Sequence, residues 1–297
     1  MTAPVEQFDV PVAGGSLHAG RWGDAGPTVL ALHGITATHV GWSEVARRLP
    51  DVTLLAPDLR GRGRSRHLPG PYGFAAHVAD LVALLDAEGC DRVVVAGHSM
   101  GGFVAVALAA RHPDRVSRLV LADGGLPIGR PEDPAPAGGI EVVLGPAAAR
   151  LAMTFPSREA YRDFWRAHPA MGPMWGPSVQ AYVDYDLVGE PPELRSSCRE
   201  EAMRIDGAEV ADNATATAAL RRVTAPVAFL RAERGLLDGP PPFYPEDAVA
   251  RWLHGSPAVE ACSVPDTNHY SLLLGPHGAV AVARAVADAL KASGATG

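Results

Sequence analysis

Between Val93 and Arg111 the chain passes from a β-branched run, Val93-Val94-Val95-Ala96, through Gly97-His98-Ser99-Met100-Gly101-Gly102 into an apolar stretch of helical length. A strand that turns into a helix within so few residues crowds its neighbours, and glycine two positions either side of Ser99 relieves the crowding. The same alternation runs through the whole N-terminal half. Strand-like runs stand at Val5–Val10, Leu17–Trp22, Thr28–His33, Val52–Ala56, Arg92–Ala96 and Val116–Ala122, with helix-like stretches at Trp42–Leu49, Ala75–Glu88 and Met100–Arg111. Ala13-Gly14-Gly15 joins the first two strands as a hairpin. After it, strands and helices alternate, which requires parallel strands joined by helical crossovers.

The pattern changes near Gly124. Up to Arg222 no clear strand is visible, Leu126–Gly139 is rich in Pro and Gly, and helix-like pieces such as Ser157–His168 and Leu194–Asp206 are broken by prolines. Strand signals return at Val227–Arg231 and Val259–Val264, with helices expected over Pro245–Leu253 and Gly278–Ala292. The expected fold class is therefore α/β: a mostly parallel eight-stranded sheet with helices on both faces. A helical insertion, 124–222, follows the sixth strand and covers a core made of 1–123 and 223–297.

Composition narrows the function. A net charge of −7 argues against a dedicated nucleic-acid binder, and the basic run Arg60–His67 reads as a solvated loop. Cys90, Cys198 and Cys262 are odd in number and far apart, so neither a disulfide framework nor a zinc knuckle is expected. Met1–Val12 lacks the basic and apolar regions of a signal peptide, and the longest apolar run, Met100–Ala110, is too short to span a bilayer. A cytoplasmic protein without membrane insertion is the expectation. No motif implies a metal, nucleotide or other cofactor, and the expected partner is a small-molecule substrate.

A serine hydroxyl needs a neighbouring base to become nucleophilic, and that base needs an orienting group. The blocks that would supply them occur in a familiar order. They are His33-Gly34-Ile35-Thr36 after the third strand, Asp58-Leu59-Arg60-Gly61-Arg62-Gly63-Arg64-Ser65 after the fourth, Gly97–Gly102 after the fifth, and Asp266-Thr267-Asn268-His269-Tyr270 near the end. In these blocks the chain resembles the serine-nucleophile branch of the α/β-hydrolase fold family, along its whole length. The resemblance implies that Ser99 is the nucleophile and His269 the base, and that backbone N–H groups of Ile35 and Met100 form the oxyanion hole. It also implies that 124–222 is the variable cap.

The carboxylate stays open between two positions. The family usually carries it after the strand at Val227–Arg231, but where the Gly-x-x-Asp pattern calls for aspartate this chain has Gly235. Asp238, or Glu233, lies nearby. Some relatives take the acid one strand earlier, which here is Asp123. Around the site, His33 shapes the Gly34 turn and His98 packs the bend. His33, Trp42, Phe103, Trp165 and Trp175 are candidate pocket residues; the last two belong to a wider set of aromatic and Met side chains of the insert, Tyr182 among them, expected to roof Ser99. The expected function is hydrolysis of an ester, thioester or lactone of an apolar substrate through an acyl-enzyme. A C–C hydrolase, an amidase or a non-catalytic ligand-binding relative are the alternatives.

Overall fold

Six consecutive residues of the fifth strand, Val93–His98, are buried, as a strand covered on both faces must be. In the computed structural model, which describes residues 6–134, 137, 144–255 and 259–294, that strand lies near the middle of an eight-stranded sheet. The start of the first expected strand, at Val5, and most of 135–143 lie outside the described residues. The strands of the sheet are β1 (Glu6–Val12), β2 (Gly15–Trp22), β3 (Thr28–Leu32), β4 (Thr53–Pro57), β5 (Val93–His98), β6 (Val116–Ala122), β9 (Val227–Arg234) and β10 (Val259–Asn268). They stand in the order β1-β2-β4-β3-β5-β6-β9-β10. The β1–β2 and β2–β4 pairs are antiparallel, and all later pairs are parallel.

Alternate residues of the central strands feed two cores. Leu30, Leu32, Val93, Val95, Leu119 and Leu121 face α2 (Phe74–Ala87) and α3 (Met100–Arg111). Val29, Ala31, Val94, Ala96, Val120 and Ala122 face α1 (Ser43–Ala46) and α11 (Pro276–Ala292). The period of two is the one a pleated strand imposes.

The chain leaves β3 for β4 on one side and later returns to β5 on the other. The carboxyl ends of β3 and β5 therefore flank the point where the strand order reverses, the place where open α/β sheets form a crevice.

Between β6 and β9 the described chain holds α4 (Pro146–Ala149), α5 (Arg158–Arg166), α6 (Pro177–Asp186), α7 (Glu200–Ala211) and α8 (Asn213–Leu220). The expected absence of strands there needs correction: β7 (Leu187–Val188) and β8 (Arg195–Ser196) pair antiparallel. They are two residues each, too short for a periodic signal. They also correct the helix expected over Leu194–Asp206, which begins only at Glu200. Phe155, Tyr161, Trp165, Met171, Val179, Tyr182 and Val183 form a separate apolar cluster that closes on Leu274 of α10 (Ser271–Leu274). Between β9 and β10 runs α9 (Glu246–Gly255). Among the described residues no helix is long and apolar enough to cross a membrane.

Candidate active site

Ser99 occupies the bend between β5 and α3 with φ +53° and ψ −125°, a conformation L-residues rarely adopt. Several contacts hold it there. Its N–H donates to Ala122 O at 3.0 Å, and its carbonyl accepts from Gly102 N at 2.9 Å. A Cβ at Gly101 would stand 2.2 Å from Leu32 O, and one at Gly124 would stand 2.0 Å from Ser99 O. The backbones of β3, the bend and the end of β6 thus meet where only glycine fits. The Ser99 hydroxyl makes no capping bond to the helix it precedes, which removes the simplest structural reason for a serine there.

The loop after β3 lies against this bend. A Cβ on Gly34 would sit 3.2 Å from Ser99 Cβ and 3.6 Å from its Oγ. His33 fixes how that loop presents its amides. Leu59 N donates to His33 Nε2 at 2.8 Å, so the neutral ring carries its proton on Nδ1 and donates it to Gly34 O at 2.8 Å. Burial pushes the His33 pKa down to about 3, so the ring stays neutral and the tautomer is locked. With Gly34 C=O held toward His33, the planar peptide turns the Ile35 N–H the opposite way. Arg62 Nε donates to Ile35 O at 2.9 Å and pins the next peptide.

His269 follows β10, and its Nδ1 lies 2.7 Å from Asp123 Oδ2. Asp123 is fully buried, at the end of β6, with φ +47°. Its second oxygen, Oδ1, accepts from Ala232 N at 3.1 Å. A carboxylate acceptor at Nδ1 leaves Nε2 with the free lone pair. His98 donates from Nε2 to His269 O at 2.9 Å, and burial, with His269 beside it, lowers its pKa to about 3. Phe243 leans on the imidazole at 5.0 Å between ring centres.

The other acid candidates go elsewhere. Asp238 Oδ1 accepts from Asn268 Nδ2 and Arg234 Nε, both at 2.8 Å, and these bonds hold its carboxyl below the usual range. Glu233 Oε2 accepts from Asp266 N at 2.9 Å. Gly235 cannot be replaced by an acid in this loop, because a Cβ there would meet Pro241 O at 2.4 Å. Asn268 uses its whole capacity. Its Nδ2 donates to Asp238 and to Ala170 O (3.2 Å), and its Oδ1 accepts from Tyr270 N and Ser271 N.

Ser99, His269, Gly34 and Ile35 line one cavity of about 40 Å³, together with Tyr182, Leu236, Tyr270 and Leu273. A family model described as the alpha/beta hydrolase fold matches residues 27–163. A solved structure of E-2-(acetamidomethylene)succinate hydrolase superposes with a TM-score of 0.76 over 97% of this chain and 100% of its own, at 20% identity. An α/β hydrolase from Novosphingobium aromaticivorans superposes at 0.70 over 97% of this chain and 99% of its own, at 26% identity. This chain has the α/β-hydrolase fold. Lipase LipV of Mycobacterium tuberculosis is 48% identical over 108 residues, which are 36% of this chain and 41% of LipV. The match thus spans about two fifths of that relative's length.

Within the α/β-hydrolase frame, the five expected pocket residues do not line the cavity: His33 is fully buried behind the Gly34 turn, bonded to Leu59 N and Gly34 O, and the other four lie elsewhere. Trp42 is fully buried in the core facing α11. Phe103 stacks on Phe74 beneath α3, and Trp165 packs inside the insert's own cluster, under Arg150. Trp175 is covered by the Arg166 guanidinium. In each case a helical or loop neighbour takes the ring before the cavity can. Leu236, Tyr270 and Leu273, not singled out from the sequence, line the cavity instead. Tyr270 and Leu273 were signalled only by following His269, and Leu236 only by lying in the loop that lacks the usual acid.

The arginine-rich loop is also less solvated than expected. Arg60 forms a buried bidentate pair with Asp80, and Arg62 is buried against Asp206. Among the described residues, His18, His39 and Asp58 are the metal-ligand types that come together. Both Asp58 oxygens are already committed, Oδ1 to the N and Nδ1 of His39 and Oδ2 to Arg64 N and Tyr185 OH. The group ties the loop to the sheet.

Proposed function

We propose that the chain is a serine hydrolase that cleaves an ester-type bond through an acyl-enzyme, with Ser99 as nucleophile, His269 as base and Asp123 as the orienting acid. The observation that carries this reading is a buried Asp123–His269 pair opening onto the same cavity as a serine held at positive φ. Ser99 Oγ attacks the carbonyl carbon while His269 Nε2 takes its proton. The oxyanion that forms is met by the N–H groups of Ile35 and Met100, each such donor contributing about 3–4 kcal/mol to the transition state. His269 then protonates the leaving group, and water repeats the sequence on the acyl-enzyme.

Asp123 is the preferred acid because it alone of the three candidates bonds the imidazole. A serine at the elbow, where epoxide- and halide-processing members of the family carry a carboxylate, favours acyl transfer. Similarity to a lipase favours esters over amides or C–C bonds within that class. In this reading 124–222 acts as a cap over a core of 1–123 and 223–297, and Tyr182 brings the cap's side chains to the cavity.

Incubation with a fluorophosphonate tests the reading. The protein is expected to gain one covalent adduct on the Ser99 peptide, and Ser99→Ala to gain none. A folded protein that takes no label would instead be a ligand-binding relative without activity.

A further inference from the structure

The space on the two sides of His269 is unequal. The cavity shared by Ser99 and the oxyanion loop measures about 40 Å³. That is room on the order of three water-sized groups. Beyond Leu236, which walls both spaces, a cleft of about 500 Å³ opens between Ile128, Val210, Leu237, Pro242 and Phe243. Its lining is mostly apolar, with Asp133 and Asn213 as its polar side chains, and Phe243 carries it to the flank of the imidazole at 5.0 Å. Leu237, an exposed large apolar residue on this cleft, stands at 52% exposure among the described residues.

Reaction geometry decides which part of a substrate goes where. Of the four groups on the tetrahedral carbon, one is Ser99 Oγ and one is the oxyanion at the Ile35 and Met100 amides. The leaving oxygen must lie within hydrogen-bond reach of His269 Nε2 to collect its proton. Its alkyl group therefore leaves along the His269 side, toward Phe243 and Leu236. The acyl substituent keeps the remaining direction, against the oxyanion loop, Tyr182 and Leu273, where the space is small. With the acid supplied by β6, the loop after β9 is free of catalytic duty and offers Leu236, Leu237 and its prolines to a ligand.

Resting on the hydrolase reading above, we infer that the preferred substrates are short-acyl esters, acetyl or propionyl, of larger apolar alcohols. The bond formed is Ser99 Oγ to the acyl carbon, and the bond broken is acyl carbon to alcohol oxygen. The serine proton passes through His269 to the alcohol. Water then supplies the hydroxyl of the released acid, and its other proton returns to Ser99.

Two isomeric esters of equal hydrophobicity separate the alternatives. Hexyl acetate places its chain in the alcohol, and ethyl hexanoate places it in the acyl group. Each buried methylene is worth roughly fourfold in binding. Hexyl acetate is therefore expected to exceed ethyl hexanoate ten- to hundredfold in kcat/KM. Leu237→Asp puts a charge in the cleft at an exposed position, and is expected to lower the hexyl acetate to methyl acetate ratio of kcat/KM about tenfold. A protein that is labelled at Ser99 but prefers ethyl hexanoate, turns over neither isomer, or keeps its ratio in Leu237→Asp overturns this assignment and leaves the hydrolase reading intact. A protein that is not labelled removes both.

Discussion

Replacing Asp123 by Asn should cost almost all of the activity and little of the fold. The side chain is fully buried, and Asn has the same shape, so packing is preserved. Asp123 Oδ1 accepts the Ala232 N–H at 3.1 Å. Asn has a single acceptor oxygen, and that backbone donor claims it. The amide NH2 must then face His269 Nδ1, where the carboxylate oxygen stood at 2.7 Å. Two donors cannot share that bond, so the imidazole is driven to carry its proton on Nε2 and presents N–H, not a lone pair, to Ser99. This is the wrong tautomer for a base, and such a swap costs about 10⁴-fold in kcat, or roughly 5.5 kcal/mol. The measurement is kcat on a p-nitrophenyl ester for Asp123→Asn beside Asp238→Asn. The second is expected to stay within about threefold, because the Asp238 carboxylate reaches Asn268 and Arg234 and not the imidazole. Loss of activity in Asp238→Asn with retention in Asp123→Asn would refute the reasoning.

Two further predictions concern stability. His33 and His98 titrate at about 3 in the folded chain and near 6.5 when unfolded. Below pH 6.5 the unfolded chain binds protons that the native chain refuses. Stability should therefore fall with falling pH from about 6.5 toward 3, by up to roughly 2.7 kcal/mol per pH unit for the two rings together. Urea denaturation at several pH values checks this, and a flat profile between pH 6.5 and 4.5 would contradict it. Gly124→Ala would set a methyl 2.0 Å from Ser99 O and is expected to lower stability by about 3 kcal/mol or more, a fall of roughly 6 °C or more in Tm by differential scanning fluorimetry. An unchanged Tm would mean that the bend and the end of β6 are not in contact.

The elements that bear on the site were legible to different degrees, for physical reasons. Strand β5 begins as the apolar run Val93–Ala96 and β6 ends as the apolar run Leu119–Ala122, and the bend at Ser99 announces itself because steric crowding demands glycines at fixed offsets. The acid was not fixed in this way. Asp123 and Asp238 are both short acids after strands, both at positive φ, and only the parallel pairing of β6 with β9 decides which one faces the histidine. The cavity wall was legible least. Trp42 and Phe103 read as pocket aromatics because they flank the right motifs, yet a helix places a side chain by its phase, and theirs point into the cores. Leu236 lies in a loop without periodicity, so nothing in the sequence ties it to Ser99.

Asn268 joins three stretches of chain that are distant in sequence: the loop after β9 through Asp238, the turn at Ala170 within the insert, and the start of α10. Because it immediately precedes His269, it makes the seat of the imidazole a shared property of all three. A swing of the insert that pulls Ala170 away frees one amide hydrogen in a buried position, and the vacancy is felt one residue from the base proposed above. On that proposal, movement overhead and proton transfer below are mechanically linked through a single carboxamide.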